Sequence, residues 1–320
     1  MRVVSRSMLI RLTAIFLALA VPVLQAASPE ADAKRWRTIA ATLESQQTAA
    51  SLSTAALIQI SVGKNEAKAL TLIDAAAVKG PTDPSIAWLA LSICTQMQGC
   101  DPAARASRLR DLDEGNAVVH YAALVRASGS KDEAAEDRAL AAMAGSGYFD
   151  VYWSKLLLTA VDTLVTPRGR KRPPLREIEL ATSDVVGWLA SAAIPPFGAA
   201  SDTCKGDRLL RDDVKAWCRK FVDVMENGDT FISQAIGRAI GMRVYSATDP
   251  QFALLEERKL HARYLTETVA SQASGQRTAE NASAWLNRFR VHHRESDAFR
   301  AWLVELGISP DPPADYASPK

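Results

Sequence analysis

Sustained alternation of apolar and polar residues is missing from all 320 residues of this chain, and with it the mark of a half-buried strand. Aromatic residues are scarce, at 7%, while alanine recurs throughout. Small helix formers set between a few large anchors suit closely packed helices better than a β-sandwich. An all-α fold is expected.

Recognisable catalytic patterns are missing too. The chain holds no His-Glu-x-x-His, no Gly-x-Ser-x-Gly, no phosphate loop and no dinucleotide fingerprint. Ser128-Gly129-Ser130-Lys131 matches Ser-x-x-Lys, but the Ser-Asp-Asn and Lys-Thr-Gly partners of that chemistry are absent. Histidine is rare. His292 and His293 are adjacent and diverge by about 100° on a helix, so they do not share a metal easily. His293 with Asp297 has the spacing of a surface pair. Glu133, Glu136 and Asp137 read as solvated charges on a helix face. No catalytic residue, metal or cofactor is expected, and the chain is read as a non-enzyme.

Net charge is small. The whole chain is +2. Its first 26 residues carry Arg2, Arg6 and Arg11 and no acid, so removing them leaves −1. Such a surface offers no reason to bind nucleic acid, which demands neutralised phosphates.

Those first residues form a signal peptide by pattern. A basic start precedes an almost unbroken apolar run from residue 12 to 24, and Leu24-Gln25-Ala26 resembles a cleavage site. The run is shorter than the ~20 residues a spanning helix needs. No cysteine follows it and no arginine pair precedes it, against a lipoprotein or twin-arginine signal. A periplasmic or secreted protein is expected, without a stable membrane anchor after cleavage.

Export gives meaning to the four cysteines, Cys94, Cys100, Cys204 and Cys218. Neither close pair has zinc-knuckle spacing. Four cysteines allow three pairings, of which the local one, Cys94 with Cys100 and Cys204 with Cys218, is favoured.

What is present is a repeat. Trp88, Tyr121 and Trp153 lie 33 and then 32 residues apart, each followed after three residues by Leu91, Leu124 or Leu156. Asp83-Pro84 and Asp101-Pro102 each combine an N-cap with a first-turn proline. A period near 33 indicates stacked helix pairs. Together with the alanines around Ala139 and Ala142 and with Pro81, these residues resemble the tetratricopeptide (TPR) class of helical repeats over 52–164. The glycine usual beside the leucine is absent, and the repeat is degenerate. The resemblance implies an α-solenoid of stacked hairpins, a right-handed superhelix, and a tendency to bind other proteins.

The chain thus divides into a signal peptide (1–26), a TPR-like region (27–165), a basic proline-rich linker or loop (166–174), a second helical region (175–308) and a disordered tail (309–320). Gly237 and Gly241, four apart on an expected helix, suggest close backbone approach. Successive first helices of a repeat array make a concave face. Gln96, His120, Arg126, Tyr152 and Lys155 are the candidates to line it, with the three aromatic anchors inside. The expected function is a protein-binding scaffold or adaptor of the bacterial envelope, with an immunity or inhibitor protein as its narrower form. The alternative is an envelope hydrolase using carboxylates in a helical cleft.

Overall fold

The computed structural model describes residues 29–97, 99–166, 173–273 and 278–316. The expected signal peptide, most of the basic linker and the last four residues lie outside the described residues. Among the described residues there are fifteen α-helices and no strand, only one isolated bridge between Asn116 and Tyr148. The fold is all-α.

The helices run α1 (Pro29–Gln46), α2 (Ala49–Ile58), α3 (Glu66–Lys79), α4 (Pro84–Thr95) and α5 (Pro102–Leu112). Then come α6 (Tyr121–Ser130), α7 (Glu133–Ala144), α8 (Trp153–Val165), α9 (Leu175–Ala192) and α10 (Gly198–Thr203). The last five are α11 (Asp212–Glu226), α12 (Phe231–Val244), α13 (Pro250–Ala273), α14 (Thr278–Phe289) and α15 (Glu295–Glu305).

Two short helices form the centre. Neither α2 nor α4 contains a charged residue. Every residue from 51 to 58 and from 85 to 94 is buried. A helix without a polar face has no side to turn to water, so neighbours must surround it. From α1 to α5 each helix packs on the next, and α6 pairs with α7. The progression then changes. α8 packs on α2 and α9, and α9 also reaches α4 and α14. Trp36 of α1 meets Trp188 of α9 edge to face, 4.7 Å between centroids, the geometry the ring quadrupoles favour.

Side chains from the first half also close the end of α9. Its last carbonyls have no partner within the helix. Trp88 Nε1 donates to the Ala193 carbonyl at 3.1 Å. Ser92 Oγ and Gln96 Nε2 donate to the Ala192 carbonyl at 2.6 and 3.3 Å. Positions 88, 92 and 96 form one stripe along α4. Just beyond, Tyr121 donates its hydroxyl to the Pro196 carbonyl at 3.0 Å.

The three aromatic anchors are all buried, but the chain enters their helices differently. Asp83 caps a regular first turn in α4. Residues 117–120 form a 3-10 turn capped by Asn116. Before Trp153, Tyr152 adopts a left-handed conformation, φ 57°, and α8 starts late.

Both disulfides form in the expected pairing, with Cα atoms 5.4 Å apart for Cys94–Cys100 and 5.8 Å for Cys204–Cys218, inside the range a disulfide spans. The second ties α10 to α11. Two carboxylates expected to be solvated anchor that loop instead. Glu136 is buried and accepts from Arg208 at 2.6 Å. Asp137 pairs with Arg208 and with Arg211, the latter at 2.7 Å. The reason is tertiary: α11 packs along α7 and brings the basic loop onto that helix face.

The expected close approach at the glycine pair is found where α12 packs on α11 and α13. A Cβ on Gly237 would stand 2.7 Å from Met225 Cβ, and one on Gly241 would stand 2.4 Å from Leu255 Cδ1. At the other end of the chain, residues 309–316 of the expected disordered tail lie on α13. Tyr316 packs edge to face on Tyr264 at 5.1 Å and donates to Glu267 at 2.7 Å.

Candidate functional site

The five residues expected to line a concave face do not converge. No hydrogen bond, ion pair or ring contact among the described residues joins any two of them. Gln96 is spent on Ala192 of the chain's own α9. Arg126 is exposed on α6. Lys155 reaches back toward Asp83, 3.9 Å away. His120 is half-buried, and burial, with Arg110 nearby, holds its imidazole below the usual range.

Tyr152 is an interior residue rather than a surface one. Its hydroxyl donates to Asp113, which also accepts from Tyr148. Asn116 stands at the centre of this network. It donates to the Asp150 carbonyl at 2.8 Å and to Tyr152 Oη at 3.1 Å, and it accepts from the Asp150 backbone at 3.0 Å. Burial above all, and then Asp113, push both phenols up. Asp229 of the α11–α12 loop completes the junction. It accepts backbone N–H groups from Val151 and Trp153 at 3.1 and 2.9 Å. Burial, then the neighbouring Asp150, drive its carboxyl well up. The network organises helix starts.

The open site lies elsewhere. A cleft of about 620 Å³ is formed by the end of α11, by α12 and α13, and by the start of α15. Its floor is Glu226, the last residue of α11. The missing side chain at Gly237 lets α12 approach that end of α11, and the next residue, Arg238, reaches Glu226 Oε1 at 3.1 Å. Arg258 of α13 reaches the other oxygen at 3.3 Å. Arg294, just before α15, donates Nη2 to the Glu226 carbonyl at 3.1 Å.

Burial orders these groups. The side chains of Glu226 and Arg238 are only 7% and 9% exposed, against 48% for Arg258. Removal from water pushes the Glu226 carboxyl up and the Arg238 guanidinium down, while their attraction opposes both shifts. Gln234 braces the wall, donating to the Gly228 carbonyl and to Ser296 Oγ at 2.9 and 3.2 Å. At the mouth, Arg300 pairs with Asp311 at 3.0 Å, and His261 lies 3.5 Å from the same carboxylate.

Sequence spacing does not reveal this cleft. Glu226, Arg238, Arg258 and Arg294 come from separate segments with no motif between them. One signal was readable: Arg238 stands beside Gly237 on a helix whose glycines demand close contact. His293 and Asp297 form no ion pair among the described residues, and Asp297 instead lines the cleft. No group of three or more His, Cys, Asp or Glu among the described residues could hold a metal ion. No described helix is long and apolar enough to cross a membrane. No family model, curated protein or solved structure matches the chain.

Proposed function

We propose that the protein is an exported binding protein of the bacterial envelope, a scaffold or adaptor that docks a segment of another protein in the cleft at Glu226. An immunity or inhibitor role is one form of this reading. The export pattern of residues 1–26 and two disulfides favour a compartment outside the cytosol. The helices from residue 52 to 164 are read as degenerate TPR-like hairpins, and Trp88 and Ser92 of that region are spent on the end of α9 of the same chain. Partner binding therefore moves to the second half. The observation that carries the proposal is the cleft itself, about 620 Å³, open and lined by charged side chains from four segments, a volume in the range of ligand sites.

Photo-cross-linking in periplasm tests it. A benzophenone residue at Asn227 or Glu257, both at the cleft, is expected to yield a discrete adduct that purified partner reproduces. The same probe at Val78, an exposed position on α3, is expected to yield none. Equal labelling from both faces would remove the assignment.

The hydrolase reading draws on the same cleft, where Glu226 has a raised carboxyl and Asp297 lines the wall without an ion pair among the described residues. Against it, Arg238 and Arg258 occupy both Glu226 oxygens, which hinders proton donation. Release of fragments from cell-wall polymer by the wild type, lost in Glu226→Gln, would favour it.

A further inference from the structure

Three guanidiniums meet Glu226 at the floor of the cleft, two on its carboxylate and one on its main-chain carbonyl. Glu226 and Arg238 are both buried and neutralise each other. Arg258 is the second cation on the same carboxylate, at the longer distance of 3.3 Å, and its side chain is 48% exposed. Arg294 spends Nη2 on an uncharged carbonyl. Its Nε is buried and has no hydrogen-bond partner among the described residues. Two cationic forks therefore face the cleft with one shared oxygen and one neutral acceptor between them. A guanidinium fork matches a carboxylate in shape and charge.

The remaining charges restrict the ligand further. Arg300 and His261 face Asp311. Asp223 and Glu257 are exposed and Asp297 half-buried at the lining. Glu257 lies 4.0 Å from His261. These acids repel a polyanion but leave room for one isolated carboxylate among neutral or basic groups.

We infer that the cleft binds a single carboxylate of its ligand, seated on Arg258 and Arg294 beside the buried Glu226–Arg238 pair. This deepens the docking proposal and rests on it for the source of the carboxylate: an acidic side chain or chain terminus of the partner. A free small acid has the same chemistry.

Thermal unfolding of the full mature chain tests the charge sign with two probes, glutarate and 1,5-diaminopentane, at matched ionic strength. Glutarate is expected to raise Tm and the diamine to leave it unchanged. Arg258→Gln, at an exposed position that folding tolerates, is expected to lose most of the glutarate shift, and Arg294→Gln the rest. A shift that survives both substitutions, a shift with the diamine alone, or none with either probe overturns the inference. Glutarate that also blocks the Asn227 cross-link identifies a protein carboxylate as the occupant. Glutarate binding without any cleft cross-link leaves carboxylate recognition standing and removes the protein partner.

Discussion

Asp229 Oδ2 accepts the backbone N–H of Trp153 at 2.9 Å across 76 residues of sequence. The helix carrying the third aromatic anchor is thus capped from the second half of the chain. Local capping has failed there, because Tyr152 turns left-handed and offers no side-chain cap. Asp229→Ala is expected to destabilise the fold by about 2–3 kcal/mol, since two N–H groups lose a buried acceptor. Asp229→Asn keeps one acceptor oxygen and is expected to cost less than half as much. Urea unfolding of both variants measures this; equal losses would sink the capping account.

Burial pushes the Glu295 carboxyl up to about 7, opposed by the bond it accepts from Phe231 N–H at 2.9 Å. A carboxyl raised in the folded state binds its proton more tightly there than in the unfolded chain. Its contribution is therefore complete below the unfolded value of 4.5 and is lost as pH rises through about 7. The difference corresponds to roughly 3 kcal/mol. Asp229 and Glu226 shift in the same direction and add to the slope. Glu295→Gln is expected to match the wild type near pH 4.5 and to exceed it at pH 8. Unfolding curves across that range decide; a wild-type stability that climbs from pH 5 to 8 would contradict the assignment.

Gly237 has no room for a Cβ, with Met225 Cβ at 2.7 Å and Glu226 N at 3.2 Å. Gly237→Ala gains helix propensity but forces α12 off α11, and the overpacking is expected to dominate, at about 1–3 kcal/mol. It should also displace Arg238 from Glu226. Reduced Tm together with a weakened glutarate shift is the expected pair of readouts. A more stable variant would show that the contact relaxes freely.

Trp88→Phe keeps an aromatic ring, trims the buried indole and removes the bond to Ala193. A loss of about 1–3 kcal/mol is expected from the stranded carbonyl. Both halves should still unfold together, because α4 and α9 remain packed. Calorimetry separating into two transitions would show that this bond alone couples them.

Mass spectrometry without reductant is expected to find no free thiol. Reduction should cost more at Cys204–Cys218 than at Cys94–Cys100, since the loops span 14 and 6 residues and the longer closure constrains the unfolded chain more. Comparing Cys204→Ala/Cys218→Ala with Cys94→Ala/Cys100→Ala by denaturant midpoint tests the order.

The sequence by itself determined the helical class, the local disulfide pairing, the N-caps at Asp83 and Asp101, the burial of Trp88, Tyr121 and Trp153, and the tight contact at Gly237. Each is written in neighbouring residues: periodicity, a cap followed by proline, a cysteine spacing, a missing side chain. Only the tertiary structure decided that α8 leaves the succession of neighbours and packs on α2 and α9. It also turned Tyr152 inward, set Glu136 and Asp137 against Arg208, and gathered Glu226, Arg238, Arg258 and Arg294 around one cleft. The physical reason is common to all of these. A buried charge or an uncapped helix end needs a partner in space, and hydrophobic packing between distant helices selects that partner without leaving a pattern along the chain.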